Sequence, residues 1–429
     1  MSDAGDKVRI KTKSETFLGT LMPRPPILEG DYVVLKLENG YNIGIEKSKI
    51  LEIKTEQKYS APKKPKQEKI KDNPKLPTVS ILSFGGTISS KVDYKTGGVI
   101  ADYTAEDFLA MEPRLRDYAN LKARKVMSLM SEDFLPCDWK KMAEETFKEL
   151  KNSDAVIITQ GTDTLHFSTA ILSFFLKKLN KPVIFTAAQR SIDRGSSDAF
   201  MNLLCAVKAA SLFDGAGVFL VMHGSSSDDF CYIHKGTKVR KMHSLRRDAF
   251  RSINEFPIAK VFPNKDKIEY IHDNYTKRSK CKPELDASFE EKTALITIYP
   301  GMDPGIIDYY LDKEYRGIVL AATALGHVPT SCKKNIMKQL DRAKKENVPV
   351  VVATQCLYGR VDPLVYSPLR KLSIERDVVF AEDMLPEVAY LKLGWILSKT
   401  NSSEKVKEMM LTNYSGEINR NQDPRAFLT

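Results

Sequence analysis

Two groups of small polar residues directly follow apolar runs, and their residue types could perform chemistry on a small molecule. Gly-Gly-Thr at 85–87 follows the run 78–84, and Gly-Thr-Asp at 161–163 follows the run 154–160. Glycines let a backbone approach a ligand closely and expose N–H groups to an anion. A threonine hydroxyl becomes a nucleophile when a neighbouring base or field activates it. The two groups therefore indicate a candidate site for nucleophilic chemistry.

Each group also has a simpler structural interpretation. Residues 85–87 could form an ordinary tight turn or a phosphate loop, although neither GxGxxG nor GxxxxGK[ST] is present. Thr162 or Asp163 could serve only as the N-cap of the helix that follows. A cap needs one such residue, whereas a Thr-Asp-Thr cluster stands here. A third polar segment, 235–250, is crowded with cations, and Lys241 within it could equally be a solvated surface charge.

The surrounding elements must bring these groups to one edge of a sheet. Four continuous apolar runs, typical of strands buried on both faces, cover residues 78–84, 154–160, 181–187 and 217–222. Amphipathic segments at 137–151, where Asp138 is placed to cap the start, and at 196–210 predict helices between the strands. This alternation favours a parallel α/β sheet with helices on both faces. Ligands bind beyond the carboxyl ends of such strands, where the polar groups stand.

The length of the chain predicts more than one domain. Residues 1–54 predict a small SH3-like β-barrel domain, because strand-like runs flank the hairpin dipeptide Asn39-Gly40. Residues 55–77 are rich in lysine and proline and predict a linker, with a binding arm as the alternative. Residues 78–280 form the predicted catalytic α/β domain, and residues 281–429 a second, smaller α/β domain. The predicted elements of that second domain are strands at 293–299, 316–323, 348–355 and 377–383 and a helix over 331–346.

The composition is that of a soluble globular protein, with 42% hydrophobic and 28% charged residues. No apolar run is long enough to cross a bilayer, and the N-terminus lacks the apolar core of a signal peptide, so we expect a cytoplasmic protein. The six cysteines form no CxxC pair and the six histidines no HxxH pair, so no metal site is expected. The net charge of +11 suits a polyanionic partner or simply a lysine-rich surface.

Four motifs, in their order along the chain, resemble the bacterial-type L-asparaginase/glutaminase family: GGTISS, ITQGTDTL, FTAAQRSIDRGSSDAFMNL and VRKMHSLRRDAFRSIN. The resemblance extends from residue 78 to about residue 425 and implies a two-domain asparaginase-like core. A small β domain before such a core is similar to the D subunit of archaeal-type glutamyl-tRNA(Gln) amidotransferases, as is the segment VRKMHSLRRDAFRSIN. One departure is Ala324, where the family more often has glycine.

The resemblance implies four catalytic residues: Thr87, Thr162, Asp163 and Lys241. A threonine would attack a side-chain amide, release ammonia and leave an acyl-enzyme that water hydrolyses. Lys241, desolvated and paired with Asp163, would have a lowered pKa and take the proton from Thr162, by the logic of a Ser-His-Asp triad. The family favours Thr87 as the first nucleophile, but the residues alone leave either threonine open.

The resemblance also implies four substrate-binding residues. The backbone N–H groups at Gly86 and after Thr162 would stabilise an oxyanion. Ser131 and Glu132 lie where the family binds the amino-acid substrate. Tyr94 corresponds to a tyrosine on a loop that closes over the site, although a surface aromatic residue would look the same.

The leading hypothesis is a glutaminase subunit that supplies ammonia to a partner. In this family the partner is the E subunit, which binds glutamyl-tRNA(Gln) and amidates it with ATP and Mg²⁺. No cofactor is expected in this chain, and the family resemblance suggests a homodimer within a heterotetramer. One alternative is a free-standing L-asparaginase/glutaminase with an extra N-terminal domain. Another is a non-catalytic nucleotide- or RNA-binding α/β protein. The sequence does not separate glutamine from asparagine as the substrate.

Overall fold

The structure, a computed structural model, describes residues 2–23, 31–60, 72–86, 90–92, 99–101, 105–192 and 195–428. Two predicted site residues, Thr87 and Tyr94, lie outside these residues. Residues 61–71 of the predicted linker also lie outside them. None of the described helices is both long and apolar enough to cross a membrane.

The N-terminal segment forms a five-stranded antiparallel sheet in the order β4-β3-β2-β1-β5. Its strands are β1 (Lys7–Thr12), β2 (Thr16–Leu21), β3 (Tyr32–Leu37), β4 (Asn42–Glu46) and β5 (Ile50–Gln57). Val8, Ile10, Leu35 and Ile45 form a small core of its own. The Asn-Gly hairpin joins β3 to β4, and Gly40 has a φ of 86°, which glycine adopts at little steric cost. The prediction of a small β-barrel-like domain is confirmed.

The central sheet has eight strands in the order β18-β17-β14-β13-β12-β10-β6-β9. The strands of this region are β6 (Thr78–Ser83), β7 (Ser90–Val92), β8 (Val99–Ala101), β9 (Asn120–Lys125), β10 (Ala155–Thr159), β11 (Leu176–Lys177), β12 (Pro182–Thr186), β13 (Gly217–His223), β14 (Cys231–Lys235), β15 (Val239–Lys241), β16 (Phe250–Ser252), β17 (Ala259–Val261), β18 (Ile268–Tyr270) and β19 (Glu284–Leu285). The five strands from β13 to β9 are parallel, and all four predicted apolar runs lie among them.

The predicted parallel sheet is extended at one edge by β14, β17 and β18, which run antiparallel to their neighbours. Only residues 224–230 separate β13 from β14. A parallel connection needs a crossover of a dozen or more residues, so this short polar segment forces the chain to reverse. The sheet is therefore mixed, and the two polar groups follow strands of its parallel part.

The helices cover both faces of the two sheets in the core. They are α1 (Ala105–Met111), α2 (Pro136–Glu149), α3 (Leu165–Phe175), α4 (Ala199–Leu212), α5 (Gly305–Asp312), α6 (Met337–Lys345), α7 (Ser367–Arg370), α8 (Pro386–Leu397) and α9 (Ser403–Leu411). Helix α2 begins two residues before Asp138, whose carboxylate accepts a hydrogen bond from the backbone N–H of Leu135 at 2.9 Å. Asp138 thus supports the helix start from the third helical position and not as the N-cap.

The second domain has a four-stranded parallel sheet in the order β20-β21-β22-β23. Its strands are β20 (Thr293–Thr297), β21 (Gly317–Ala322), β22 (Val350–Thr354) and β23 (Val379–Phe380). The predicted helix over 331–346 is wrong in its first part, because α6 begins only at Met337. Before it the chain turns, with Asn335 accepting a hydrogen bond from the N–H of Met337 at 3.2 Å. Ala324 has a φ of 45°, in the left-handed region that favours glycine, which fits its departure from the family pattern.

Candidate functional site

The two polar groups meet because the strands that carry them pair in parallel. Ser83 lies opposite Thr159 across β6 and β10, so both strands end at the same level. Gly86 has a φ of 84°, and a Cβ atom there would lie 2.5 Å from the carbonyl carbon of Gln160 and from the nitrogen of Gly161. The glycine therefore lets the two strand ends touch.

A lysine joins this edge from much later in the chain. The ammonium Nζ of Lys241 donates to the Thr162 hydroxyl at 2.8 Å and to the Asp163 carboxylate at 2.7 Å. Lys241 is largely buried, whereas the Asp163 side chain is 66% exposed. The hydrogen bond from Lys241 lowers the pKa of Asp163, against the opposing effect of partial burial. The site therefore holds a charged pair beside a threonine hydroxyl.

The interpretation of Thr162 and Asp163 as helix caps is wrong. Helix α3 begins at Leu165, its N-cap position is Thr164, and no side chain caps it. The hydroxyl of Thr164 instead donates to the backbone carbonyl of Ser131 at 2.5 Å. The side chains of Thr162 and Asp163 are thereby left to contact Lys241.

Ser131 lies against the same edge, on a short 3₁₀ helix over Ser131–Asp133. It is buried, and a Cβ atom added to Gly161 would lie 2.9 Å from its Cβ and Oγ atoms. Its hydroxyl lies 3.4 Å from carboxylate oxygens of both Asp163 and Glu132. Glu132 itself is exposed. The structure thus gathers Ser131 and Glu132 beside Asp163, and their role in substrate binding stays a prediction.

Lys241 is not a solvated surface charge, because its segment is packed between the two domains. It stands at the end of β15 and pairs with Phe250 of β16. Lys238, on the same segment, forms a buried 2.7 Å ion pair with Asp383 of the second domain. The cationic segment of the sequence is therefore partly interior, and the second domain fixes the strand that carries the lysine.

A buried polar cluster that the sequence did not single out lies next to Lys241. Arg240 donates to Glu387, at the start of α8, at 2.9 Å, and His166 Nε2 lies 3.8 Å from the other oxygen of that carboxylate. Burial lowers the pKa of His166 to about 3, with Arg240 and Lys241 acting in the same direction. Burial raises the pKa of Glu387, and Arg240 opposes that shift. At neutral pH the imidazole is therefore uncharged.

Gln189 is a second residue that sequence reasoning missed. It follows β12, whose carboxyl end lies at the same sheet edge, and its Oε1 is 3.3 Å from the Thr162 hydroxyl. The rule that pointed to the other strand ends could have pointed to it too. A cavity of about 310 Å³ opens beside Asp163, His166 and Lys241. Within the described ranges, no group of three or more His, Cys, Asp or Glu side chains could hold a metal ion.

Comparison with known proteins separates this chain from other α/β proteins. Residues 78–276 match the family "Asparaginase, N-terminal", residues 292–410 the Glutaminase/Asparaginase C-terminal domain, and residues 2–55 the GatD N-terminal domain. The chain is 46% identical to the D subunit of the glutamyl-tRNA(Gln) amidotransferase from Pyrococcus furiosus, over 99% of this chain and 97% of that one. The chain belongs to this family of amidotransferase D subunits. It is also 44% identical to the corresponding protein of Methanothermobacter thermautotrophicus, over 97% of this chain and 94% of the relative.

Solved structures confirm the asparaginase-like fold of this D-subunit family member. The thermostable L-asparaginase from Thermococcus kodakarensis is 30% identical, with a TM-score of 0.72, and matches 80% of this chain and 100% of its own. The probable cytoplasmic L-asparaginase from Campylobacter jejuni is 25% identical, with a TM-score of 0.63, and matches 79% and 100%. The predicted two-domain core is thus confirmed, and the match of residues 2–55 accounts for the additional β domain.

Proposed function

We propose that this chain is the glutaminase subunit of a tRNA-dependent amidotransferase. It hydrolyses the side-chain amide of glutamine through a threonine hydroxyl and releases ammonia to a partner E subunit. The partner uses ATP and Mg²⁺ to convert glutamyl-tRNA(Gln) to glutaminyl-tRNA(Gln), and this chain needs no cofactor of its own. The observation that carries the proposal is the contact of Lys241 with both Thr162 and Asp163, at the carboxyl ends of parallel strands in a D-subunit family member.

The geometry supports a division of roles among these three side chains. Lys241 is largely buried, and its Nζ contacts the carboxylate of Asp163 at 2.7 Å. After losing a proton, its amine would be a base within hydrogen-bond distance of the Thr162 hydroxyl. Asp163 would hold the amine in place, as an aspartate holds histidine in a Ser-His-Asp triad. The array therefore suits activation of a hydroxyl or of a water molecule.

The first nucleophile in this proposal is Thr87, the residue after Gly86 along the chain. Its oxygen attacks the amide carbon, its proton passes by way of a base to the leaving nitrogen, and ammonia departs. Water, activated at Thr162, then hydrolyses the ester and returns the threonine. The order of the two threonines rests on the family resemblance, because Thr87 lies outside the described residues.

Charged groups at the edge suit the amino-acid end of the substrate. The Asp163 carboxylate is 66% exposed and can accept from an α-ammonium group while Lys241 holds its other oxygen. Ser131 and Glu132 are proposed to complete this end, and Tyr94 to close over it. The same proposal places the chain in the cytoplasm, as a homodimer within a heterotetramer with the E subunit, and leaves asparagine as a second candidate substrate.

The test is ammonia release from L-glutamine and L-asparagine by the full chain, alone and with the E subunit and glutamyl-tRNA(Gln). We expect release from glutamine to rise when both partners are added, and to be lost in Thr87→Ala and Thr162→Ala variants that keep the fold. Full turnover by the isolated chain, unchanged by either addition, would instead favour a free-standing asparaginase. Undiminished ammonia release by both threonine variants would exclude the proposed threonine-dependent amidohydrolase.

A further inference from the structure

We propose that Gln189 is an additional residue of this site, which orients the Thr162 hydroxyl and donates a hydrogen bond to an oxygen of the substrate. This inference rests on the proposed amide hydrolysis and gives a role to a residue that lies within the motif FTAAQRSIDRGSSDAFMNL but was assigned none there. It starts from the 3.3 Å contact between Gln189 Oε1 and the Thr162 hydroxyl.

The hydrogen-bonding capacities of the three groups fit the orientation that the Gln189 amide has in the structure. A lysine ammonium has only donors, so the Thr162 oxygen must accept from Lys241 at 2.8 Å. The single hydrogen of that hydroxyl then needs an acceptor, and Gln189 Oε1 supplies one. In the flipped orientation Nε2 would instead donate to a hydroxyl that already accepts from Lys241, and the contact to Oε1 would be lost. The amide nitrogen of Gln189 is therefore the end that stays available.

That nitrogen is buried and has no hydrogen-bond partner within the part of the chain that the structure describes. Buried polar atoms without a partner are rare in folded proteins, and each one calls for an explanation. The nitrogen belongs to the side chain that contacts Thr162, so a substrate bound at Thr162 lies within the reach of one amide group. The group that accepts its hydrogen bond would be a carbonyl or carboxylate oxygen, because Nε2 is only a donor.

The backbone around Gln189 is fixed by hydrogen bonds to buried side chains, unlike that of a freely moving surface loop. The fully buried carboxylate of Asp198 accepts from the N–H of Gln189 at 3.0 Å and from the N–H of Arg190 at 2.9 Å. Asn202, on α4, donates to the carbonyl of Ala187 at 2.9 Å and to Asp198 at 3.0 Å. A buried acid and a buried amide thus fix the backbone on both sides of the side chain, as a preorganised binding group requires.

Two substitutions of similar size separate the two roles. Gln189→Met removes both the acceptor and the donor, whereas Gln189→Glu keeps the acceptor for Thr162 and removes the donor. For Gln189→Glu we expect KM for the amide substrate to rise about tenfold or more, because a site built to donate a hydrogen bond is left with an acceptor there. For Gln189→Met we expect the same rise in KM together with a fall in kcat of about tenfold, because Thr162 loses its acceptor.

The matched control is Gln339→Met. Gln339 is a partly buried glutamine of the second domain that also has one amide atom paired, to Asp308 at 2.9 Å. Its other amide atom is buried without a partner among the described residues. This control variant should leave kcat and KM unchanged. A KM for Gln189→Glu equal to that of the wild type would overturn the substrate contact, and an unchanged kcat for Gln189→Met would overturn the orienting role.

Binding of the products makes the outcome independent of turnover. Calorimetric titration with L-glutamate and L-aspartate should show weaker binding to Gln189→Glu and Gln189→Met than to the wild type and to Gln339→Met. If the wild type binds the products but hydrolyses no amide, the proposed function is rejected. The effect of the Gln189 variants on product binding would then still show whether Gln189 contacts the bound molecule. If the wild type neither binds nor hydrolyses, both are rejected.

Discussion

Replacing Lys241 with methionine is the change that most directly tests the chemistry of the site. Methionine keeps an unbranched apolar side chain and deletes the ammonium, so the hydrogen bonds to Thr162 at 2.8 Å and to Asp163 at 2.7 Å are lost together. A positioned acid–base group contributes about 10²–10⁴ in rate. We therefore expect kcat to fall by that factor, which corresponds to about 3–5 kcal/mol in the activation barrier.

The stability of the same variant should change little. Asp163 is 66% exposed, so water takes over most of the interaction with its charge once Lys241 is gone. Exposed ion pairs contribute about 1 kcal/mol or less to the free energy of unfolding, and we expect a loss in that range. A large kinetic effect with a small thermodynamic one is the signature of a residue that acts on the reaction.

Lys235→Met is the matched control with the opposite signature. Lys235 is as buried as Lys241, with 11% against 10% side-chain exposure, and donates to Glu255 at 2.8 Å. Its partner, Glu255, is itself only 10% exposed, so removing the lysine leaves a buried carboxylate unpaired. Breaking such a pair typically costs about 3–5 kcal/mol of stability. We expect that loss with nearly unchanged kcat at a temperature where the variant is folded.

The assays are ammonia release at saturating glutamine, with the partner and tRNA present, and chemical denaturation of each variant. Lys241 is not the base of the reaction if Lys241→Met keeps more than about a tenth of the wild-type kcat, since a general base contributes more than that. The same conclusion follows if Lys241→Met loses as much stability as Lys235→Met, because the kinetic loss would then reflect unfolding.

Three further predictions follow from other parts of the structure. Gly86→Ala would place a Cβ atom 2.5 Å from the backbone of Gln160 and push the two strand ends apart. We therefore expect kcat/KM to fall about 10²-fold. An unchanged kcat/KM would contradict the close contact. Burial lowers the pKa of His234 from 6.5 to about 3, so the unfolded state binds the proton at a higher pH than the folded state. The free energy of unfolding should therefore fall as the pH drops from 6.5 towards 3. His234→Asn should make this pH dependence shallower in denaturation curves. Lys392→Met, which breaks a fully buried 2.7 Å ion pair, should lose about 3–5 kcal/mol in the same assay. Adding Glu417→Leu should not restore it, because that carboxylate also accepts from the backbone N–H groups of Tyr414 and Ser415.

The apolar runs of the sequence were enough to predict the strands at the site. Residues 154–160 are apolar throughout their centre, and β10 is buried along its whole length, because a parallel strand covered on both faces can expose no side chain. The polar group at 161–163 could then be placed at the carboxyl end of that strand. The Asn-Gly hairpin and the short N-terminal strands were predictable for a similar local reason, since turn geometry depends on adjacent residues.

The direction of β14 and the start of α6 show where local patterns misled. Both depend on connections that composition describes poorly: residues 224–230 reverse the chain, and residues 331–336 turn where their polarity suited a helix. The sequence pattern shows which residues are apolar. The path of a short polar connection depends on how the strands and helices at its two ends pack, and that packing is part of the tertiary structure.

By itself, the sequence determined the strands, the two polar groups and, through family motifs, the four residues expected to be catalytic. Only the tertiary structure decided which side chains touch. Lys241 lies 79 residues from Thr162 along the chain and reaches it because the packing of the second domain fixes its strand. Gln189 carries no charge and stands in no metal or nucleophile pattern, and only its place just after β12 could have pointed to it. Hydrogen bonds between distant residues arise from packing, so the spacing of residues along the chain does not predict them.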